Sequence, residues 1–147
     1  MPGAESLKQQ QYYAHPRNQF WRLMGALFGA EPELPYPARV KKLTAQGVAV
    51  WDVLKLCERP GSLDSSIRRE TEVANDFLSF LKRHPGIRYV FFNGSKAENL
   101  FESHLRSLLG ERAASLRFER LPSSSPAHAS LSFDQKLVRW KRIKAVL

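Results

Sequence analysis

A chain of 147 residues, 43% of them apolar, can bury one core of its own. It carries 23 Lys and Arg against 14 Asp and Glu, a formal net charge of +9, which favours a polyanionic partner, most simply nucleic acid. Its only cysteine, Cys57, excludes an internal disulfide and a Cys-rich zinc site, and fits a reducing, cytoplasmic setting.

The first informative stretch is "QYYAHPRNQFW", Gln11 to Trp21. It crowds Tyr12, Tyr13, Phe20 and Trp21 around His15, Pro16, Arg17 and Asn18. It is too polar for a core strand, and Pro16 interrupts any helix through it. "NQFWRLMGALFG" then predicts a helix ending at Gly29, with Phe20, Leu23, Met24, Leu27 and Phe28 on one side. After a Pro-rich connection, "ARVKKLTAQG" predicts a short amphipathic helix closed by Gly47. "VAVWDVL" is apolar and β-branched and predicts a buried strand. "CERPGSLDSS" is a loop. Val73, Phe77, Phe80 and Leu81 fall at helical spacing within residues 67–83.

"IRYVFF" predicts a second buried strand. "SKAENLFESHLRSLLG" predicts a helix with a Ser95/Glu98 capping box, a stripe of Ala97, Phe101, Leu105 and Leu108, and a stop at Gly110. "SLRFERL" predicts a third strand. After "PSSSPAHAS", Ser132 and Gln135 form another capping box, and the last helix carries Phe133, Leu137 and Trp140 on its apolar side. Strands alternating with helices imply an α/β fold with a parallel sheet and helices on both faces, with ligands beyond the carboxyl ends of the strands. No apolar run approaches the ~20 residues that cross a bilayer, and the N-terminus has no signal-peptide core, so no membrane association is expected.

Taken singly, the polar segments have ordinary readings. Asn93-Gly94 suits a turn. His15, His84, His104 and His128 have no metal-ligand spacing, and the spacing of Asp52 and Glu58 identifies no acid/base pair. Lys136, Arg139, Lys141, Arg142 and Lys144 suit a solvated helix face, and Cys57 a buried small residue.

Together and in order, the segments resemble the uracil-DNA glycosylase superfamily. "MPGAESLKQQQYYAHPRNQFW" is similar to the first motif of its mismatch-specific members, in which a Pro-Gly turn precedes an aromatic segment ending in Asn-x-Phe-Trp. "VFFNG" (Val90 to Gly94) resembles the base-reading strand end, "LPSSSPAHA" (Leu121 to Ala129) the second motif, a Pro-Ser loop that presses on DNA, and "RPGSLDSSI" (Arg59 to Ile67) the middle of the family. "YYAHPRNQFW" and "LPSSSPA" are most similar to the hypoxanthine-DNA glycosylase branch, family 6 or DNA-deoxyinosine glycosylase.

That resemblance implies one domain over residues 1–147, expected to be a monomer, with a three-layer α/β/α fold around a short central parallel sheet. The family has about four strands. Its first strand leads into the Pro-Gly turn and is expected to be missing here, either because the chain is truncated, because it starts at an internal Met, or because the sheet lacks it. Met1 stands where the mismatch enzymes carry a catalytic Asn; the hypoxanthine branch lacks that Asn too and is thought to use the later one, here Asn18.

The resemblance further implies a monofunctional DNA glycosylase that flips and hydrolyses out a deaminated base, with no metal or organic cofactor and with DNA containing deaminated bases as its partner. Asn18 would orient the water and His15 assist. Asn93 would read the base, and Tyr12, Tyr13 or Phe20 would stack on it at roughly 1–3 kcal/mol per ring. Leu121, Pro122, Ser123, Ser124, Ser125 and Pro126 would meet DNA, with Leu121 the candidate to fill the vacated space. Lys8 and Lys96 are not marked as Schiff-base nucleophiles. A uracil or thymine mismatch glycosylase, or a non-catalytic DNA-binding relative, are the alternatives.

Overall fold

A computed structural model describes residues 3–58 and 67–147. The Pro-Gly turn begins, and most of "RPGSLDSSI" falls, outside the described residues. The chain divides into two compact units, Asp52–Arg120 and a second that joins Pro2–Trp51 to Leu121–Leu147.

The first unit holds β1 (Leu54–Leu56), a 3-10 turn (Arg69–Thr71), β2 (Val73–Ala74), α4 (Phe77–Arg83), β3 (Tyr89–Asn93), α5 (Ser95–His104), a 3-10 segment (Arg106–Ser115) and β4 (Arg117–Leu121), whose last residue passes to the second unit. β3 and β4 pair. The Arg117 N–H donates to Arg88 O at 2.8 Å, so both strands start at the same edge and run parallel, as a strand–helix–strand crossover requires. The expected mixed α/β fold with a short parallel sheet is therefore present. Its core centres on Phe101, which is fully buried and has the rings of Phe77, Phe92 and Phe118 5.2–5.6 Å from its own. Removing such a ring costs about 3–5 kcal/mol. Glu72, whose side chain is only 6% exposed, is satisfied by His104 Nε2 at 2.5 Å, which gives His104 a structural role.

Four expectations for this part of the chain need correction. "VAVWDVL" is not a buried parallel strand. Residues 48–52 are irregular, and the strand begins at Leu54 and pairs antiparallel with Val73–Ala74. The backbone carbonyls of Asp52 and Val53 are taken locally, by Asn75 Nδ2 at 2.8 Å and Asn75 N at 2.9 Å, so the run is closed off by its own hairpin. The helical pattern over residues 67–83 resolves into a turn, a short strand and α4 alone, because Asp76 caps α4 by accepting from Ser79 N at 3.0 Å. Ser95 makes no capping box: Gly94, at φ 90°, is the N-cap, which puts Ser95 inside the first turn. The stripe also ends early. The chain leaves the helix at Leu105, so Leu109 is buried and Leu108 is exposed.

The second unit is helical: α1 (Ala4–Gln9), α2 (Phe20–Phe28), α3 (Tyr36–Ala45) and α6 (Phe133–Lys144). α2 lies against α3 and α6, with Phe20, Trp21, Leu23, Met24 and Leu27 buried on one face and Trp140 and Ile143 buried on α6. Gly29 ends α2 at φ 67°, a left-handed conformation that glycine adopts without a Cβ penalty. The capping box of α6 is formed: Gln135 N donates to Ser132 Oγ, and Ser132 N donates to Gln135 Oε1. α1 had no periodic signal and was not expected. No described helix is long and apolar enough to cross a membrane.

Candidate active site

The irregular segment between α1 and α2 is fixed by side chains rather than by regular structure. Ser6, 6% exposed, accepts the Ala14 N–H on Oγ at 3.1 Å. Trp21 Nε1 donates to Tyr12 O at 2.8 Å, and Tyr12 N donates to Tyr36 Oη. These contacts hold Gln10 and Tyr13 at φ 53° and 55°. For residues other than glycine that conformation costs roughly 1–2 kcal/mol each. Tyr13 thereby lies flat on Phe20, with centroids 4.0 Å apart and planes at 23°. Phe20 is in turn edge-packed by Trp21 and Trp140.

This segment borders a cavity of about 740 Å³ within the second unit, lined by Gln11, Tyr13, His15, Asn18, Trp21 and Arg39 among others. That volume is in the range of small-molecule sites. Asn18 Oδ1 accepts the Phe20 N–H at 2.9 Å, an Asx turn just ahead of the Gln19 N-cap that satisfies the first amide of α2 while the side chain borders the cavity. A carboxamide oxygen has two lone pairs, so one lone pair and both amide donors remain for a ligand. His15 Nδ1 accepts the Arg17 N–H at 3.2 Å, which places the proton of the neutral ring on Nε2 and makes that nitrogen a donor.

Of the three rings expected to stack on a base, Tyr13 lines the cavity. Phe20 is 4% exposed beneath it, so the base-stacking expectation for Phe20 is corrected to one of support. Tyr12 supplies its backbone to Trp21 and Tyr36.

The Pro-Ser loop is folded on itself. Ser123 Oγ accepts Ser125 N, Ser125 Oγ accepts Ala127 N, and Ser125 O accepts His128 N. Its carbonyls anchor it: Ser124 O accepts Gln19 N at 2.9 Å, Pro122 O accepts Trp140 Nε1 at 2.9 Å, and His128 O accepts Lys136 Nζ at 2.8 Å. Leu121 is 3% exposed and Ser124 fully buried, so neither is free to enter or touch a duplex. Surface remains on Pro122, Ser123, Ser125 and Pro126. Lys136 is also no part of a solvated basic face. It is 1% exposed, and burial draws its ammonium below the ordinary lysine value. Arg139, Lys141, Arg142 and Lys144 are exposed. Asn93 ends β3, in the first unit, partly buried. Among the described residues no group of His, Cys, Asp and Glu could hold a metal ion.

Comparison with known proteins decides the family. The model of the uracil DNA glycosylase superfamily matches residues 1–145. The chain belongs to the uracil DNA glycosylase superfamily. A Methanosarcina acetivorans protein named hypoxanthine DNA glycosylase is 38% identical over 92% of this chain and 81% of its own length. A Methanosarcina barkeri protein of the same name is 35% identical over 74% of this chain and 67% of its own. A solution NMR structure of a candidate uracil DNA glycosylase from M. acetivorans superposes with a TM-score of 0.75 at 36% identity, covering 97% of this chain and 83% of that one. Tyr13, His15 and Asn18, expected from the sequence as site residues, all border the cavity. Gln11 and Arg39 line it too and were not expected. Arg39 is 28 positions from Gln11, and nothing local in the sequence marks the pair.

Proposed function

We propose that this protein is a monofunctional DNA glycosylase that flips a deaminated base, hypoxanthine first among them, out of DNA and hydrolyses its N-glycosidic bond. The carrying observation is the cavity that borders Tyr13, His15 and Asn18 at one irregular segment, a ring and two polar groups around a space large enough for a purine. The names of the Methanosarcina relatives support hypoxanthine as the base.

Extrusion costs a few kcal/mol, less at a deaminated mispair. Tyr13 offers the flipped base a π-face. Breaking the bond leaves an oxocarbenium-like sugar and an electron-rich base. Asn18 accepts a hydrogen bond from the attacking water through its remaining Oδ1 lone pair and fixes its position, so the gain is in orientation rather than in base strength. His15, as an Nε2 donor, meets the charge that develops on the leaving base. Asn93, with one donor and one acceptor, is the proposed reader of the N1–H and O6 edge that distinguishes hypoxanthine from adenine.

The test is single-turnover excision from duplexes containing inosine, uracil or mispaired thymine, followed by alkali to cut abasic sites. Inosine strands should be cut only after alkali. Product from uracil and none from inosine would replace hypoxanthine by uracil, the base in the name of the M. acetivorans structure. Tight binding with no product from any base would make this a non-catalytic relative.

A further inference from the structure

Arg39 projects from α3 with its guanidinium over the rings of Trp21, at 4.6 Å, and Tyr36, at 5.4 Å. Its Nε is buried with no hydrogen-bond acceptor among the described residues, and its Nη2 donates to Gln11 Oε1 at 3.2 Å. A guanidinium carries donors only. The Gln11 amide therefore has one permitted orientation, with oxygen toward Arg39. Turning it over would set amide N–H groups against a cation already short of an acceptor. The backbone of Gln11 is held too, by its N–H to Ser6 O at 3.1 Å. The Nε2 group has no protein acceptor among the described residues, and Gln11 borders the same cavity as Tyr13 and Asn18.

From this geometry we propose that Gln11, oriented by Arg39, is a specificity-determining residue that presents fixed N–H donors to the flipped base and so selects a carbonyl oxygen over an exocyclic amine. Deamination makes that exchange: adenine and cytosine carry a donor where hypoxanthine and uracil carry an acceptor. A base with an amine there would bring donor against donor, and the amide cannot turn to relieve it. Arg39 acts through Gln11 and is a positioning residue. Burial also draws the Arg39 guanidinium below its ordinary value, with Tyr36 acting in the opposite sense, as expected of a partly buried cation. The inference rests on the reading of the cavity as the base site.

The experiment compares duplexes carrying inosine with duplexes carrying purine deoxyriboside, which has hydrogen in place of the 6-oxygen and a bare acceptor in place of N1–H. Single-turnover excision is measured on both. Affinity is measured separately on non-hydrolysable 2′-fluoro versions, which need no catalysis. The parent should favour inosine by about tenfold, the scale of one net hydrogen bond. Gln11→Leu should lower the ratio several-fold, and Gln11→Glu should lower it further, because a carboxylate only accepts; what remains is the N1–H and O6 preference assigned to Asn93. Arg39→Met should lower the ratio part-way, since Gln11 remains but can turn over. A parent with no preference, or Gln11→Leu and Gln11→Glu variants that keep the parental ratio, overturns the proposal. If no base is excised, the glycosylase reading fails, and the affinity ratio still decides the role of Gln11.

Discussion

Replacing Asn18 by Ala removes two things that the structure holds in one side chain, the Asx-turn acceptor for Phe20 N–H and the group proposed to position water. Their sizes differ enough to separate them. Loss of one such hydrogen bond costs about 1 kcal/mol. For a chain of this length that is a fall of roughly 2–4 °C in Tm. From a stability of about 5 kcal/mol or more, it leaves well under about 1% unfolded, so it cannot by itself slow a single-turnover reaction measurably. Loss of the water-positioning group should slow excision at least ~100-fold, about 2.7 kcal/mol of barrier. Asn18→Asp separates the two roles again. A carboxylate still accepts from Phe20 N–H, and its charge is favourable at the start of α2, so Tm should return to the parental value. The rate should recover only in part, because water can still donate to Asp but the amide donors are gone. The assay is excision of hypoxanthine from an inosine duplex at saturating enzyme, with a melting curve for each variant. Asn18→Ala with a lowered Tm and a rate within about threefold of the parent, roughly 0.7 kcal/mol, would reduce Asn18 to a turn residue and move the search to His15.

Three further outcomes are expected. Asn93→Ala should weaken affinity for inosine DNA, and Asn93→Asp should change the base preference by removing an amide donor; excision panels on both variants check this, and parental rates in both would assign base reading elsewhere. Lys141→Ala with Arg142→Ala, both on the exposed side of α6, should flatten the log–log salt dependence of DNA binding by about 0.9 for each phosphate no longer neutralised, and an unchanged slope would turn this face away from DNA. The hydrogen bonds from Ser79, side chain before backbone, draw the Asp76 carboxyl below its usual value. A depressed folded value means that Asp76 contributes stability above its unfolded value of 3.8 and loses it as pH falls through the folded one. Melting curves between about pH 2 and pH 6 should therefore show a weaker acid dependence for Asp76→Asn, which keeps the acceptor but does not titrate.

Much of the fold could be read from local signals. Gly29 and the Ser132/Gln135 box mark helix ends that the structure keeps, because each acts on backbone groups within a few residues. β3 was legible as an apolar run of strand length, and β4 as a strand-length segment beyond the helical stretch. Failures came where a local signal competed with a better partner. Ser95 looks like a cap, but Gly94 takes the turn that a capping residue needs. "VAVWDVL" looks like a parallel strand, but Asn75 takes its carbonyls. At the candidate site the aromatic cluster was visible, while the division of labour inside it was not. Phe20 belongs to the buried stripe of α2, and Tyr13 faces the cavity only because Ser6 and Trp21 fix the backbone around it. Leu121 and Ser124 were named from a motif, and a motif carries no information about exposure.

The self-bonded Pro-Ser loop has a thermodynamic consequence. Ordering a backbone residue costs about 1–2 kcal/mol, and across Pro122 to His128 that entropy is lost when the protein folds, not when it meets DNA. Amides of Ser125, Ala127 and His128 should accordingly exchange slowly with solvent even in the free protein. A loop ordered before the encounter leaves more of the deforming to the duplex. If this loop is the one pressed on DNA, the cost of the encounter falls on base stacking and pairing. That cost is lowest where a pair is already weakened. Damaged sites would then be favoured by their own mechanical softness before any atom of the base is read.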